Sequence, residues 1–319
     1  MNPAFCTIIT ANYFPFALAL YKSIRKFNPD IQFYILIADN HAVDVPMAFS
    51  NNIRTLPVKD ILDYSLVNQL HRRYASVNTD FFRWSLKPVF ISYLLENGHS
   101  KVIYTDCDIF FFDNYDFLFD SLDEASVLLT PHWWNTNVNE NEESFVSFFS
   151  YGIFNAGFIG VSKKGLPAME WWAKACYFKI GFFPESGIFL DQKYLDAFPF
   201  RFPGTEVVRH CGCNIGEWNT EECKRTIVND RVLINEEYPI VFIHFTQTLI
   251  QQILKGFDPL LKPYFHQYMK TFEEDGTKLS NFDPKLDAHL HPGAIRKIKW
   301  TLRIRTRFKS FLFRIARSL

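Results

Sequence analysis

The stretch KVIYTDCDIFFFDN, Lys101 to Asn114, carries two carboxylates, Asp106 and Asp108, inside an otherwise apolar run. Ionised side chains are costly to bury unless something pairs with them, so this pair calls for a partner or for solvent. Residues i and i+2 of an extended backbone point the same way, so Asp106 and Asp108 are expected to project together, with Cys107 opposite. KVIYT reads as a strand, and in open α/β sheets ligands bind beyond the carboxyl ends of strands. Two convergent carboxylates there suit a hard divalent cation, Mg2+ or Mn2+, shared with substrate phosphates. Such an ion would neutralise charge on a departing diphosphate. A D-x-D is a weak motif, and for an isolated pair a solvated turn is the better account.

The surrounding elements supply more. FCTIIT (5–10) is a β-branched run, PFALALYKSIRKFN (15–28) has helical spacing, and IQFYILIAD (31–39) reads as a buried strand. Strand, helix and strand within forty residues mark a parallel βαβ unit. TDFFRWSLKPVFISYLLENG (79–98) reads as one helix stopped at Gly98. KVIYTD and SVLLTP (126–131) are the next strands. This alternation predicts a doubly wound α/β sheet. HWWNTNVNENEESF (132–145) is polar and reads as a loop or mobile lid. YGIFNAGFIGVSK (151–163) reads as a strand, LPAMEWWAKACYF (166–178) as a helix, and FLDQKYLDAF (189–198) as a short helix or turn. TIVNDRVLI (226–234) and YPIVFIHF (238–245) read as late strands.

The composition is 48% hydrophobic with 35 Phe, so a sizeable core is available and disorder is not expected. A formal net charge of zero gives no nucleic-acid signal. The charge is unevenly placed, however: residues 295–319 hold nine Lys/Arg and no acid, which leaves about −9 on the rest. On a helix, Trp300, Ile304, Phe308, Phe311, Leu312, Ile315 and Leu319 fall in one stripe of about 120°. An apolar face opposite a basic one is the pattern of an interfacial helix on anionic lipid; the alternative is a terminal helix docked on its own domain. The amino-terminal MNPAFCTIITANYF has no basic stretch before its apolar run and reads as a strand rather than a signal peptide. No apolar run reaches the roughly 18 residues of a membrane span. Six Cys in a chain this long, with CGC at 211–213, fit neither a disulfide framework nor a zinc knuckle, and are expected to be reduced thiols of a cytosolic protein.

In order, FFRWSLKP, KVIYTDCDIFFFDN, GIFNAGFIGV, FLDQKYLD and VFIHF form a set. Over residues 5–250 the chain resembles the GT-A fold glycosyltransferases, most closely the retaining family 8 group of nucleotide-diphospho-sugar transferases. The resemblance implies a mixed Rossmann-like central sheet with helices on both faces. It implies a nucleotide-sugar-binding half over 1–130 and an acceptor and catalytic half over 131–280; the charge pattern adds a basic membrane-associating tail over 281–319.

Roles are implied position by position. Thr10, Ala11, Asn12 and Tyr13 match the loop that holds nucleobase and ribose, with Asp39 also facing the nucleoside. Arg83, and Lys87 as a second candidate, match a cation near the donor phosphates or sugar. Asp106 and Asp108 match the metal and ribose contacts, and His244 the third metal ligand. Asn155, Ala156 and Gly157 match the lining of the donor-sugar pocket, and Asp191 and Gln192 the pair beside the transferred sugar. CNIGEWN (213–219) resembles an Asn…Trp-Asn element on the acceptor side. Neutral imidazole is an ordinary Mn2+ ligand, although a lone His after VFI is more often a structural residue. Asp191 has a helix N-cap for QKYLDAF as its alternative role, and Gly157 a bulge. The sequence departs from the group after His244: HFTQTLIQQILKGFD has no following Gly, and its first Lys is Lys255.

The function so implied is a metal-dependent transfer of a hexose from a nucleoside diphosphate, UDP being the nucleotide expected, to a hydroxyl on a glycan. Retention is the expected outcome. With the basic tail, the implied acceptor is lipid-linked, at the inner face of a membrane, in surface polysaccharide or glycolipid assembly. Two other readings remain. A haloacid-dehalogenase-type phosphatase also places D-x-D after a strand, but wants Thr or Val where Phe110 stands. A non-catalytic glycan-binding protein could use the same fold, since fold does not fix function.

Overall fold

Strands that are apolar along their whole length need cover on both faces. That is how β1 (Ala4–Ile9) behaves: Cys6 and Ile8 enter one core, Phe5 and Ile9 the other. The computed structural model describes residues 3–183 and 186–275. The further strands are β2 (Gln32–Ile37), β3 (Ile53–Pro57), β4 (Lys101–Thr105), β5 (Ile109–Phe111), β6 (Val127–Pro131) and β7 (Phe154–Ser162). They are followed by β8 (Phe182–Phe183), β9 (Ile188–Phe189), β10 (Thr205–Val207), β11 (Arg225–Val228), β12 (Arg231–Ile234), β13 (Tyr238–Pro239) and β14 (Phe242–His244).

Seven strands form one sheet in the order β10-β6-β7-β4-β1-β2-β3. Strands β4, β1, β2 and β3 are mutually parallel; β7 runs antiparallel to both β4 and β6. The sheet is therefore mixed. Helices α1 (Phe14–Ile24), α2 (Val67–Tyr74), α3 (Thr79–Ser85), α4 (Lys87–Glu96), α5 (Asp116–Glu124), α6 (Glu142–Ser150) and α7 (Leu166–Phe178) follow in chain order. Residues of α1 and α5 pack in the core that contains Phe33, Ile35 and Ile103. Residues of α2, α3, α4 and α7 pack in the core that contains Leu36, Val102 and Tyr104. The strand order leaves the carboxyl end of β4 between β1 and β7, near the centre of the sheet.

Three local expectations are corrected. Residues 79–98 are two helices, not one, with the break at Leu86. Pro88 offers no N–H and its ring clashes with the carbonyl four residues back, so it serves as the first turn of a new helix. The break puts Lys87 at the head of α4, where it is buried. Residues 226–234 form a hairpin, because Asn229 and Asp230 turn the chain in the left-handed region at φ 49° and 60°. The polar stretch 132–145 gives way to α6, whose N-cap Asn141 accepts the Ser144 N–H at 3.0 Å. Edge strand β3 has no counterpart in the sequence reading.

The chain divides into units at 1–271 and 272–319. The interfacial helix expected over 295–319 lies outside the described residues. No helix among the described residues is long and apolar enough to cross a membrane. All six cysteines are free thiols.

Candidate active site

The chain turns at Asp106 rather than running on extended: the Ile109 N–H donates to Asp106 O at 3.2 Å. The two carboxylates do converge, but a turn brings them together, not the strand pleat. Cys107 packs into the core on the other side, and burial pushes its thiol pKa up. The Asp106 N–H donates to Gly157 O at 2.8 Å and extends the β4–β7 ladder by one step. Ile109, Phe110 and Phe111 are fully buried and anchor the turn, with Phe110 edge-on to Tyr268 at 5.4 Å.

Strand β5 pairs antiparallel with β14, in a register that sets His244 opposite Ile109. His244 Nε2 thereby lies 3.0 Å from Asp108 Oδ1, and the Phe245 N–H donates to Asp108 O at 2.8 Å. One ligand atom each from Asp106, Asp108 and His244 lie within 4.8 Å of one another. Two carboxylates and an imidazole are a donor set that suits Mg2+ or Mn2+. Burial opposes charge on His244, but Asp108, Asp106 and Glu217 outweigh it and raise its pKa. The pocket thus favours positive charge where the three ligands meet, and these residues fit a divalent cation.

Beneath this group lies a buried charge cluster. Lys87 is 3% exposed and donates to Ala156 O at 2.9 Å, with Asp106 Oδ1 at 3.3 Å and Asp191 Oδ2 at 3.2 Å. Burial works against its charge, yet the two carboxylates prevail and its pKa is raised. By this hydrogen bond and these two ion pairs, Lys87 ties the end of β4, β7 and the 191 turn together. Asp106 is pulled the other way: burial raises its pKa, but Lys87, His244 and a 2.6 Å hydrogen bond from Tyr104 bring it below the usual carboxylate range. Asp191 stays above that range, because burial outweighs Lys87.

The Asp191 side chain makes no cap hydrogen bond to the 3-10 turn Gln192–Ala197, so it does not serve as an N-cap. Its backbone O accepts the Trp172 indole N–H at 2.9 Å. Gln192 accepts the Ala156 N–H at 3.1 Å and donates to Tyr151 O at 3.0 Å, so both ends of its amide are engaged. Leu190, just before Asp191, has φ 51°, and Trp133 has φ 55°. Bulky residues in the left-handed region are strained, and such strain gathers at functional sites.

Asn155 accepts the Gly157 N–H at 2.8 Å and bonds His132 Nε2 at 3.1 Å. His132 Nδ1 lies 3.0 Å from Gly152 O, an acceptor, so the proton sits on Nδ1 and Nε2 accepts from Asn155. Burial lowers the His132 pKa to about 3, which keeps the ring neutral. Gly157 allows His244 to approach: an added Cβ would lie 2.5 Å from His244 Cε1 and 2.6 Å from Asn155 Oδ1. Gly157→Ala is therefore expected to displace the imidazole and weaken Mn2+ binding at least about tenfold, as a metal titration would show; unchanged affinity would contradict the placement.

At the other end of the group, the Ala11 N–H bonds both Asp39 oxygens, at 3.1 and 3.2 Å, and Thr10 Oγ1 donates to Asn12 Oδ1 at 2.5 Å. Asp39 thus fixes the turn after β1. Arg83 pairs with Asp80 at 3.0 Å and lies over the Tyr13 ring at 5.6 Å, which joins two of the expected nucleotide residues.

Two residues in the site region, His132 and Trp134, carried no role in the sequence reading, while Glu217 and Trp218 belong to the acceptor-side element CNIGEWN. His132 stacks on Trp134 (centroids 5.1 Å apart), while Trp218 meets both His132 and His244 edge-on at 5.3 and 5.4 Å. Glu217 accepts from Thr246 Oγ1 at 2.7 Å, and burial raises its pKa. The tripeptides HWW (132–134) and GEW (216–218) were the available signal; only the fold brings them beside His244. Lys255 stands beyond helix Gln247–Leu254, about 12 Å of helix from Thr246.

The mixed seven-stranded sheet, with an acidic turn at the carboxyl end of its central β4, defines a GT-A fold. The structure superposes on mouse xyloside xylosyltransferase 1 in its apo form with a TM-score of 0.50 at 12% identity, covering 78% of this chain and 99% of that one. At that identity the likeness establishes the fold. Another match is the galactosyltransferase LgtC in complex with donor and acceptor sugar analogs, at a TM-score of 0.46 and 17% identity, over 76% of this chain and 86% of that one. In sequence, the chain is 26% identical over 298 residues to the uncharacterized protein YfnF of Bacillus subtilis (strain 168), spanning 90% of this chain and 97% of that protein. No protein-family model matches.

Proposed function

We propose that this protein is a metal-dependent glycosyltransferase that moves a hexose from UDP to a hydroxyl on a glycan or lipid-linked acceptor, with retention at the anomeric carbon. The observation that carries this reading is the convergence of Asp106, Asp108 and His244 within 4.8 Å at the carboxyl end of β4. Those three residues would hold Mn2+ or Mg2+, which neutralises charge on the departing diphosphate when bound. Arg83 adds a cation beside Tyr13, at the nucleotide end. Asn155, Ala156 and Gly157 line the sugar pocket, and Gln192 holds Ala156 in place.

Asp191 is buried and paired with Lys87 at 3.2 Å, which favours an electrostatic and positioning role over nucleophilic attack. Front-side displacement needs no protein nucleophile. The acceptor oxygen bonds the anomeric carbon as the phosphate oxygen leaves, and that oxygen takes the acceptor's proton. The test is a hydrolysis and transfer screen of nucleotide sugars with Mn2+, with Asp108→Ala as control and the product anomer read by NMR. UDP-hexose turnover with retention is expected in the native chain only. If no nucleotide sugar is bound or turned over, the reading falls.

The basic tail is assigned to an anionic membrane surface at the cytoplasmic face, where a lipid-linked acceptor for surface polysaccharide or glycolipid would be presented. Truncation after residue 294 is expected to release the protein from phosphatidylglycerol-containing liposomes. Equal sedimentation of both forms would remove this part of the assignment.

A further inference from the structure

A cavity of ≈ 720 Å³ opens between the loop after β6 and the segment that leads into β11, lined by Asn135, Glu140, Thr220, Glu221, Glu222 and Lys224. That volume lies within the about 300–1,000 Å³ usual for small-molecule sites. The walls are held in place. Asn135, 3% exposed, donates to Glu140 at 2.9 Å and accepts the Asn137 N–H at 2.8 Å. Asn141 donates to Glu221 at 2.6 Å and joins the two segments, while Asn235 accepts the Lys224 N–H and donates to Glu222 O.

The cavity adjoins the site along the chain. Asn135 follows Trp134, the ring stacked on His132, and Thr220 stands two residues after Trp218, the ring edge-on to His132 and His244. Amide, hydroxyl, carboxylate and ammonium groups line it, and no hydrophobic side chain does. A lipid chain would strip water from those groups without replacing its hydrogen bonds, whereas a polyol can exchange them. Three carboxylates against one ammonium disfavour a uronate, sialate or phosphate.

We propose that this cavity binds the distal residues of an oligosaccharide acceptor, neutral or amino-sugar in type, while the reactive end lies at the donor site. The assignment rests on the glycosyltransferase reading, and its test separates the two. The native full chain, Thr220→Trp (which narrows the cavity) and Glu222→Lys (which changes its charge) are applied to an array of neutral, amino and anionic di- to tetrasaccharides. Each is also assayed for Mn2+-dependent UDP-hexose hydrolysis to water. The native chain is expected to bind neutral or amino oligosaccharides, Thr220→Trp to bind them at least tenfold more weakly, and Glu222→Lys to lose amino sugars selectively. Hydrolysis should be unchanged in both variants. Glycan binding without hydrolysis in the native chain would sink the transferase reading and leave the cavity assignment standing. Hydrolysis without glycan binding, or binding indifferent to both variants, overturns the cavity assignment.

Discussion

Asp108→Asn is expected to lower Mn2+-dependent UDP-hexose turnover about 10³-fold while leaving the urea midpoint of unfolding in place. The carboxylate is one of three convergent ligand atoms, so its loss removes charge where the diphosphate would depart. Its side chain is 35% exposed and its recorded partner is His244, so the fold depends on it little. Asp106→Asn should behave differently. That residue also pairs with buried Lys87 and accepts from Tyr104, so activity and stability should fall together. Two neighbouring acids with the same profile in both assays would contradict the division of labour described here.

The second large effect concerns Lys87. Lys87→Met keeps much of the volume but leaves Asp106 and Asp191 facing each other without their shared cation. Removing one partner from a buried ion pair costs about 3–5 kcal/mol, and that loss is expected at pH 8. The penalty should shrink toward pH 5. Without Lys87, the folded-state pKa values of both carboxyls rise, whereas in the unfolded chain they stay near their ordinary values, about 4. A raised folded-state pKa means that the native state binds protons more tightly, so the variant gains stability as pH falls through that value. Denaturant unfolding of both proteins at pH 5 and pH 8 measures this. A gap that is the same at both pH values would show that Lys87 does not hold these two carboxylates.

Parts of this arrangement were legible in the chain. Apolar runs such as IQFYILI mark strands covered on both faces, because burial on both sides removes the need for alternation. The acidic pair after KVIYT stood out because charge is costly in an apolar run, and the ordered set of motifs placed Asn155, Asp191 and His244 beside it as candidates. The break at Pro88 was also written there, but helical spacing on both sides of it masked the break.

The sequence by itself determined the class of fold and the residue types available to the site, since periodicity and the cost of burying charge are local properties that residue order reports. Tertiary structure alone decided which charges meet. Lys87, Asp106 and Asp191 come from a helix head, a turn and a loop, and His244 reaches Asp108 only because β14 pairs with β5 in one register. His132, Trp134 and Trp218 owe their place at the site to the same cause. Distances between residues far apart in the chain follow from strand order and register, and no local pattern encodes them.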